Sequence, residues 1–231
     1  MQVVDRGLSW VWRVGLLIGL IIGIILPPML LRLLNELSEN DGFIGWQIAL
    51  VVAYFAIFGI VIVAAGMAYR HYSGEVQLKK LQHQDIGYIF GGYLAILISE
   101  GLFQLINHLM YQQSQTQNNA AIKSLMSGSP ISMWMMAISA VFLTPIVEEL
   151  VFRGVLTNLF FKQEWLKIGL SGLVFGSLHS SSTLPSFMIY VAMGLILAAV
   201  YRFSGKIQNS IILHFLINAG AMSIMLISLL N

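Results

Sequence analysis

The chain has 231 residues, 58% of them hydrophobic and 10% charged, with a formal net charge of +2 and no cysteine; its mean hydropathy is +0.82. Soluble domains carry about 25% charged residues, so this composition excludes an ordinary soluble domain and points to a membrane protein. The small net charge, with no basic stripe, argues against nucleic acid as a partner, and the missing cysteines exclude disulfides, thiolate metal sites and cysteine nucleophiles.

About 20 apolar residues in a helix cross a hydrocarbon core, and seven segments are expected to do so. The first covers about 10–34, preceded by Arg6 and holding Arg13 near its start, with Pro27-Pro28 expected to kink it. No small-residue cleavage signature follows, so it reads as a retained span and not a signal peptide. The second and third lie at about 44–69 and 87–110. A long fourth runs over about 131–161, and a short fifth over about 168–182 ends in "SSSTLP". The sixth and seventh fall at about 186–202 and 208–230. Polar stretches such as "RHYSGEVQLKKLQHQD" and "RFSGK" connect them, and the five Trp lie near expected interfaces. The expected fold is a single all-α polytopic bundle over 1–231, with lipid around it.

Cytoplasmic loops collect Lys and Arg. With the N-terminus inside, Arg6, Arg13, Arg70, Lys79, Lys80, Arg153, Lys162, Lys167, Arg202 and Lys206 fall on the inner side, leaving Arg32 and Lys123 outside. The acidic loop with Glu36, Glu39 and Asp41 also falls outside. The expectation is N-terminus in, C-terminus out, with the protein in the cell membrane.

Charges inside spans are costly and face a bundle interior or a water-filled cavity. "PIVEELVFRGVL" places Glu148, Glu149 and Arg153 within the fourth span. Glu149 and Arg153 are four apart and share a face, so they can pair. Glu148 points about 100° away and has no such counter-ion. A desolvated carboxylate without a partner suits general acid–base work near neutral pH. His179 ends "VFGSLH", and His214 and Asn218 in "HFLIN" share a face of the seventh span. At about 1.5 Å per residue, Glu148 lies roughly 20 Å from Lys162, His179 roughly 18 Å from Lys167 and His214 roughly 12 Å from Lys206. The four can thus meet at one depth, in a site expected to open toward the cytoplasm. One Glu, two His and an Asn can orient and deprotonate a water, with the remaining donors stabilising an oxyanion; Glu148, His179 and His214 could equally ligate a divalent metal such as zinc. Glu100, with Gln104 and His108 at four-residue spacing on the third span, could line a cavity or serve helix packing.

These residues resemble the CAAX protease and bacteriocin-processing membrane proteins, also called the Abi family. Its three signatures read here as "EELVFR" (Glu148, Glu149, Arg153), "FGSLH" (Phe175, His179) and "HFLIN" (His214, Asn218), in order, within about 141–220. The resemblance implies an intramembrane endopeptidase, with the carboxylate of Glu148 activating water and His179 assisting. It assigns His214 and Asn218 to the oxyanion or to further water contacts, and a metal is often attributed to the family. Glu149, Arg153 and Phe175 are expected to support the site. The expected partner is a peptide or membrane-protein substrate. The alternative is a non-enzymatic immunity or regulatory protein on the same scaffold, as in bacteriocin self-immunity.

Overall fold

The computed structural model describes residues 2–39, 44–75 and 77–230, and every regular element among them is helical. Eight helices follow one another: α1 Gln2–Glu39, α2 Ile44–Ser73, α3 His83–Tyr111, α4 Gln117–Met126, α5 Pro130–Phe160, α6 Glu164–Ser177, α7 Leu184–Ser204 and α8 Ile207–Leu230. Six of them, all but α4 and α6, are long and apolar enough to cross a membrane. The protein is a helical integral membrane bundle. Asp41 lies outside the described residues, as do the side chains of Arg6 and Glu39.

The boundaries follow local chemistry. Thr116 accepts the Asn119 N–H at the start of α4, and Ser129 accepts that of Ser132 at the start of α5. Thr183 caps α7, and Pro130 and Pro185 sit where a missing N–H costs nothing. Gly205, at φ +64°, closes α7 in the left-handed region. The helix α1 is continuous through Pro27 and Pro28. Apolar side chains face both ways: Leu31, Tyr54 and Leu197 are buried, whereas Val52, Ile60, Ile98 and Ile224 are exposed on the outer surface. α5 and α7 are the most enclosed of the six long helices.

The expected fifth span over 168–182 is instead the 14-residue α6. At 1.5 Å per residue it is about 21 Å long, short of a hydrocarbon core of about 30 Å. It still runs between the same two ends as its neighbours. Near its start Glu164 meets Arg202 at 3.5 Å, and beyond its C-terminus Ser180 O accepts the Asn118 N–H at 3.1 Å. Seven expected spans therefore become six long helices and one short one.

The two ends of the bundle differ in charge. At one end Arg13 donates to Leu159 O (2.6 Å), Lys79 to Gly205 O (2.9 Å), and Lys206 pairs with Asp85 (2.7 Å). Asn209 also donates to Asp85 there (2.7 Å), tying α3 to α8. At the other end Asn35 donates to Leu125 O (2.9 Å) and Thr183 to Asn107 (2.5 Å).

Glycine lets α6 and α7 meet backbone to backbone. A Cβ on Gly194 would lie 2.9 Å from Gly172 Cα and 3.1 Å from its carbonyl oxygen. Overpacking of a close contact costs about 1–3 kcal/mol. Gly194→Val should therefore lower the thermal unfolding midpoint of the detergent-solubilised protein. Gly220→Ala, whose new Cβ has no neighbour nearer than Tyr93 Oη at 4.0 Å, should leave that midpoint unchanged.

Candidate active site

α5 is not a uniform α-helix. It widens into π-helical turns over Ser139–Leu143 and Glu149–Leu156, separated by a short α segment, Thr144–Glu148. The Thr144 N–H reaches back five residues to Ser139 O. Pro145, which follows, has no N–H to continue the ladder. Tyr54 of α2 holds the first widened turn through its hydroxyl contact with Ser139 at 2.6 Å. Such bulges cluster at functional sites. Here both adjacent carboxylates are turned inward: Glu148 is 7% exposed and Glu149 0%.

Arg153 Nη1 stands 3.0 Å from Glu149 Oε1, with both side chains fully buried. The guanidinium also donates through Nη2 to Gly194 O at 3.1 Å and lies 4.5 Å from the centre of the Phe175 ring. Glu149 has a second partner, which the fourth span alone did not reveal. His214 Nδ1 lies 2.9 Å from the same Oε1. An ionised carboxylate can only accept, so Nδ1 carries the proton. Nε2 of the same ring then faces Glu148 Oε2 at 3.8 Å. Glu148 is thus not isolated: one imidazole stands between the two carboxylates.

Phe175, wholly buried, is the hub under these groups. Its ring centre is 4.4 Å from that of His179, 5.8 Å from His214 and 5.7 Å from Phe152. His179 contacts Phe175 O through Nδ1 at 2.7 Å. A carbonyl only accepts, so Nδ1 again holds the proton. The His179 ring is flanked on its other side by Tyr190, stacked at 4.5 Å and 15°. Tyr190 is a site residue that sequence reasoning missed. Its hydroxyl is fixed by Thr116 at 2.6 Å, from a helix start 74 residues earlier, and no local pattern marks it.

Asn218 lies one turn beyond His214, but its amide donates to Ala140 O at 2.8 Å, on the first widened turn of α5. One N–H of that amide remains. Glu100 is half-buried on α3. Given the Asn107–Thr183 bond and the antiparallel packing of α3 on α7, it stands level with Tyr190. Gln104 donates to Gln113 O at 3.3 Å and His108 is exposed, so the three do not form one lining.

A cavity of about 700 Å³ reaches His179 and is lined by Gln117, Ser177, Ser180–Leu184 and Phe187. It opens at the end carrying α4, away from the Lys- and Arg-rich end. This corrects the expectation of an opening toward that charged end. His179 stacks on Tyr190, within the second turn of α7, and so lies on the far side of the bundle's middle from Lys167. Glu148 and two imidazole nitrogens are donors of the kind zinc takes. Among the described residues, however, no three His, Cys, Asp or Glu side chains are grouped to hold a metal ion.

Residues 130–220 match the family model "Type II CAAX prenyl endopeptidase Rce1-like", a stretch containing all three motifs. A Bacillus subtilis (strain 168) protein named "Putative membrane peptidase YdiL" is 27% identical over 148 residues, 61% of this chain and 58% of that protein. The chain thus spans less than two thirds of that relative. The "UPF0177 protein YbdI" of Lactococcus lactis subsp. lactis (strain IL1403) is 27% identical over 169 residues, 73% of this chain and 88% of that protein. No solved structure matches the chain.

Arg153→Leu would leave a buried carboxylate without its cation. Breaking such a pair from one side costs about 3–5 kcal/mol. The expected outcome is a clear drop in the unfolding midpoint in detergent, with Glu149→Leu/Arg153→Leu losing less than the two single changes summed. An unchanged midpoint for Arg153→Leu would remove the pair from the account of stability.

Proposed function

We propose that this chain, with its type II CAAX prenyl endopeptidase-like segment over residues 130–220, is an intramembrane endopeptidase of the cell membrane. The observation that carries the reading is the placement of His214. Its Nδ1 is held by Glu149 at 2.9 Å while its Nε2 faces Glu148 at 3.8 Å, beside a second histidine on the same aromatic hub.

The chemistry follows from those roles. Glu148, assisted by Nε2 of His179, takes a proton from a water, and the resulting hydroxide attacks the scissile carbonyl carbon. The carbonyl π electrons move to oxygen, giving a tetrahedral oxyanion. His214 in its imidazolium form offers Nε2–H to that oxygen, and the remaining amide N–H of Asn218 is the second donor. Glu148 then returns its proton to the leaving nitrogen, and the C–N bond breaks. Glu149, Arg153 and Phe175 act as positioning residues: they fix the His214 ring, with Nδ1–H held on Glu149. The substrate is a peptide or membrane-protein segment.

General acid–base groups contribute typically 10²–10⁴-fold. Peptides released from membranes of cells expressing the wild-type chain should therefore nearly vanish with Glu148→Gln, at equal protein level and equal unfolding midpoint. His179→Ala and His214→Ala should show the same loss. If Glu148→Gln releases the full set of peptides, the protein is not a glutamate-dependent peptidase, and the non-enzymatic reading on the same scaffold takes its place.

A further inference from the structure

Two independent features fall at opposite ends of this bundle. The first is charge. Arg13, Lys79, Arg202 and Lys206 are tied by hydrogen bonds or ion pairs to helix ends and turns at one end, with Leu159 O, Gly205 O, Glu164 and Asp85 as partners. Lys80 and Lys162 lie in those same loops. At the other end Arg32 and Lys123 are the only Lys or Arg among the described residues. The second feature is access. His179 lines an open groove together with the segment Ser180–Leu184 at the Lys- and Arg-poor end. That segment is anchored there by the Asn118 N–H on Ser180 O (3.1 Å) and by Ser182 Oγ on Gln113 (3.2 Å).

Loops rich in Lys and Arg are retained on the cytoplasmic side. The cavity is then on the far side of the membrane. Its lining is also informative. Apart from His179 it holds hydroxyls, one amide and the apolar Leu184 and Phe187, with no acidic or basic side chain. Such a surface offers hydrogen bonds to an extended backbone and no counter-ion to a charged side chain.

We propose that the site opens to the extracytoplasmic face, and that its substrates are polypeptide segments delivered to that face, exported or anchored there. The scissile bond lies at the level of Glu148 and His214, approached from the outer end past uncharged side chains. This rests on the peptidase reading above. A peptide presented from the cytoplasm would meet the opposite end of the bundle.

The absence of cysteine from the sequence makes the test direct. Single cysteines are placed at Ser182 on the cavity rim, at Ser124 on α4 at the same end, and at Gln77 in the Lys-rich loop, all exposed. A membrane-impermeant maleimide is applied to intact cells and to lysed cells. Ser182→Cys and Ser124→Cys should be modified to the same extent before and after lysis, and Gln77→Cys only after it. The reverse pattern overturns the proposal. Failure of Ser182→Cys to react even after lysis, with Ser124→Cys reacting, overturns it too, because the cavity is then closed. In treated intact cells, peptide release by the Ser182→Cys protein should fall to the Glu148→Gln level while release by Ser124→Cys persists. If labelling follows the expected pattern but wild type and Glu148→Gln release the same peptides, the orientation stands and the substrate assignment is overturned with the peptidase reading.

Discussion

The fully buried pair of Glu149 and Arg153 is the constraint from which the rest of the interior follows. A charged side chain at the centre of a membrane costs about 2.5–3.5 kcal/mol on insertion scales, so the guanidinium must be satisfied inside the protein. It uses a carboxylate on its own helix, the carbonyl of Gly194 and the face of Phe175. Each contact imposes a packing demand. The Gly194 carbonyl is reachable because α6 and α7 touch through glycines. Phe175 can lie beneath the cation because the same close approach brings α6 inward. His214 then inherits its orientation from a carboxylate already neutralised by Arg153. Lysine could not substitute, because a point charge lacks the planar fork and the stacking face.

The charged end and the cavity end divide stability from access. Asp85, Lys206 and Asn209 join α3 to α8 in a closed network, and Arg202 reaches Thr157, Asn158 and Glu164 between α7, α5 and α6. The opposite end is held by single bonds among hydroxyls and amides. Segments with fewer buried contacts open more readily than a packed core. A substrate that enters beside His179 would perturb the more weakly tied end and leave the charged one intact.

Much of this was legible in the sequence, because apolar length and Lys/Arg placement report directly on membrane crossing. The six long helices and the end of the bundle at which Lys79, Lys80, Lys162, Lys167 and Lys206 lie could be read from it; Arg153, counted with them, is instead fully buried inside. So could the pairing of Glu149 with Arg153, which needs only four-residue spacing. The relation of Glu148 to its neighbour was read less well. A regular helix separates adjacent side chains, but the π-helical turns of α5 leave both carboxylates facing inward, and the imidazole between them comes from a helix 65 residues away. Asp85 and Lys206 were read as loop charges because their partnership spans 121 residues. Tyr190 was invisible for the same reason. The direction of the opening was not legible because it depends on the irregular chain beyond α6, Ser180 to Thr183, which lines the groove at His179.

That early stop bears on how water reaches a bond inside a membrane. A helix of about 21 Å cannot bridge a hydrocarbon layer of about 30 Å, so the non-helical chain from Leu178 to Thr183 must make up the remaining depth. Irregular backbone is tolerated there only when buried in protein or lining a hydrated cavity. Its peptide groups and its run of three serines therefore draw solvent below the membrane surface, alongside His179. In the proposed peptidase, the mismatch between helix and bilayer would serve as a conduit, the shortest crossing segment bringing the second reactant, water, alongside His179.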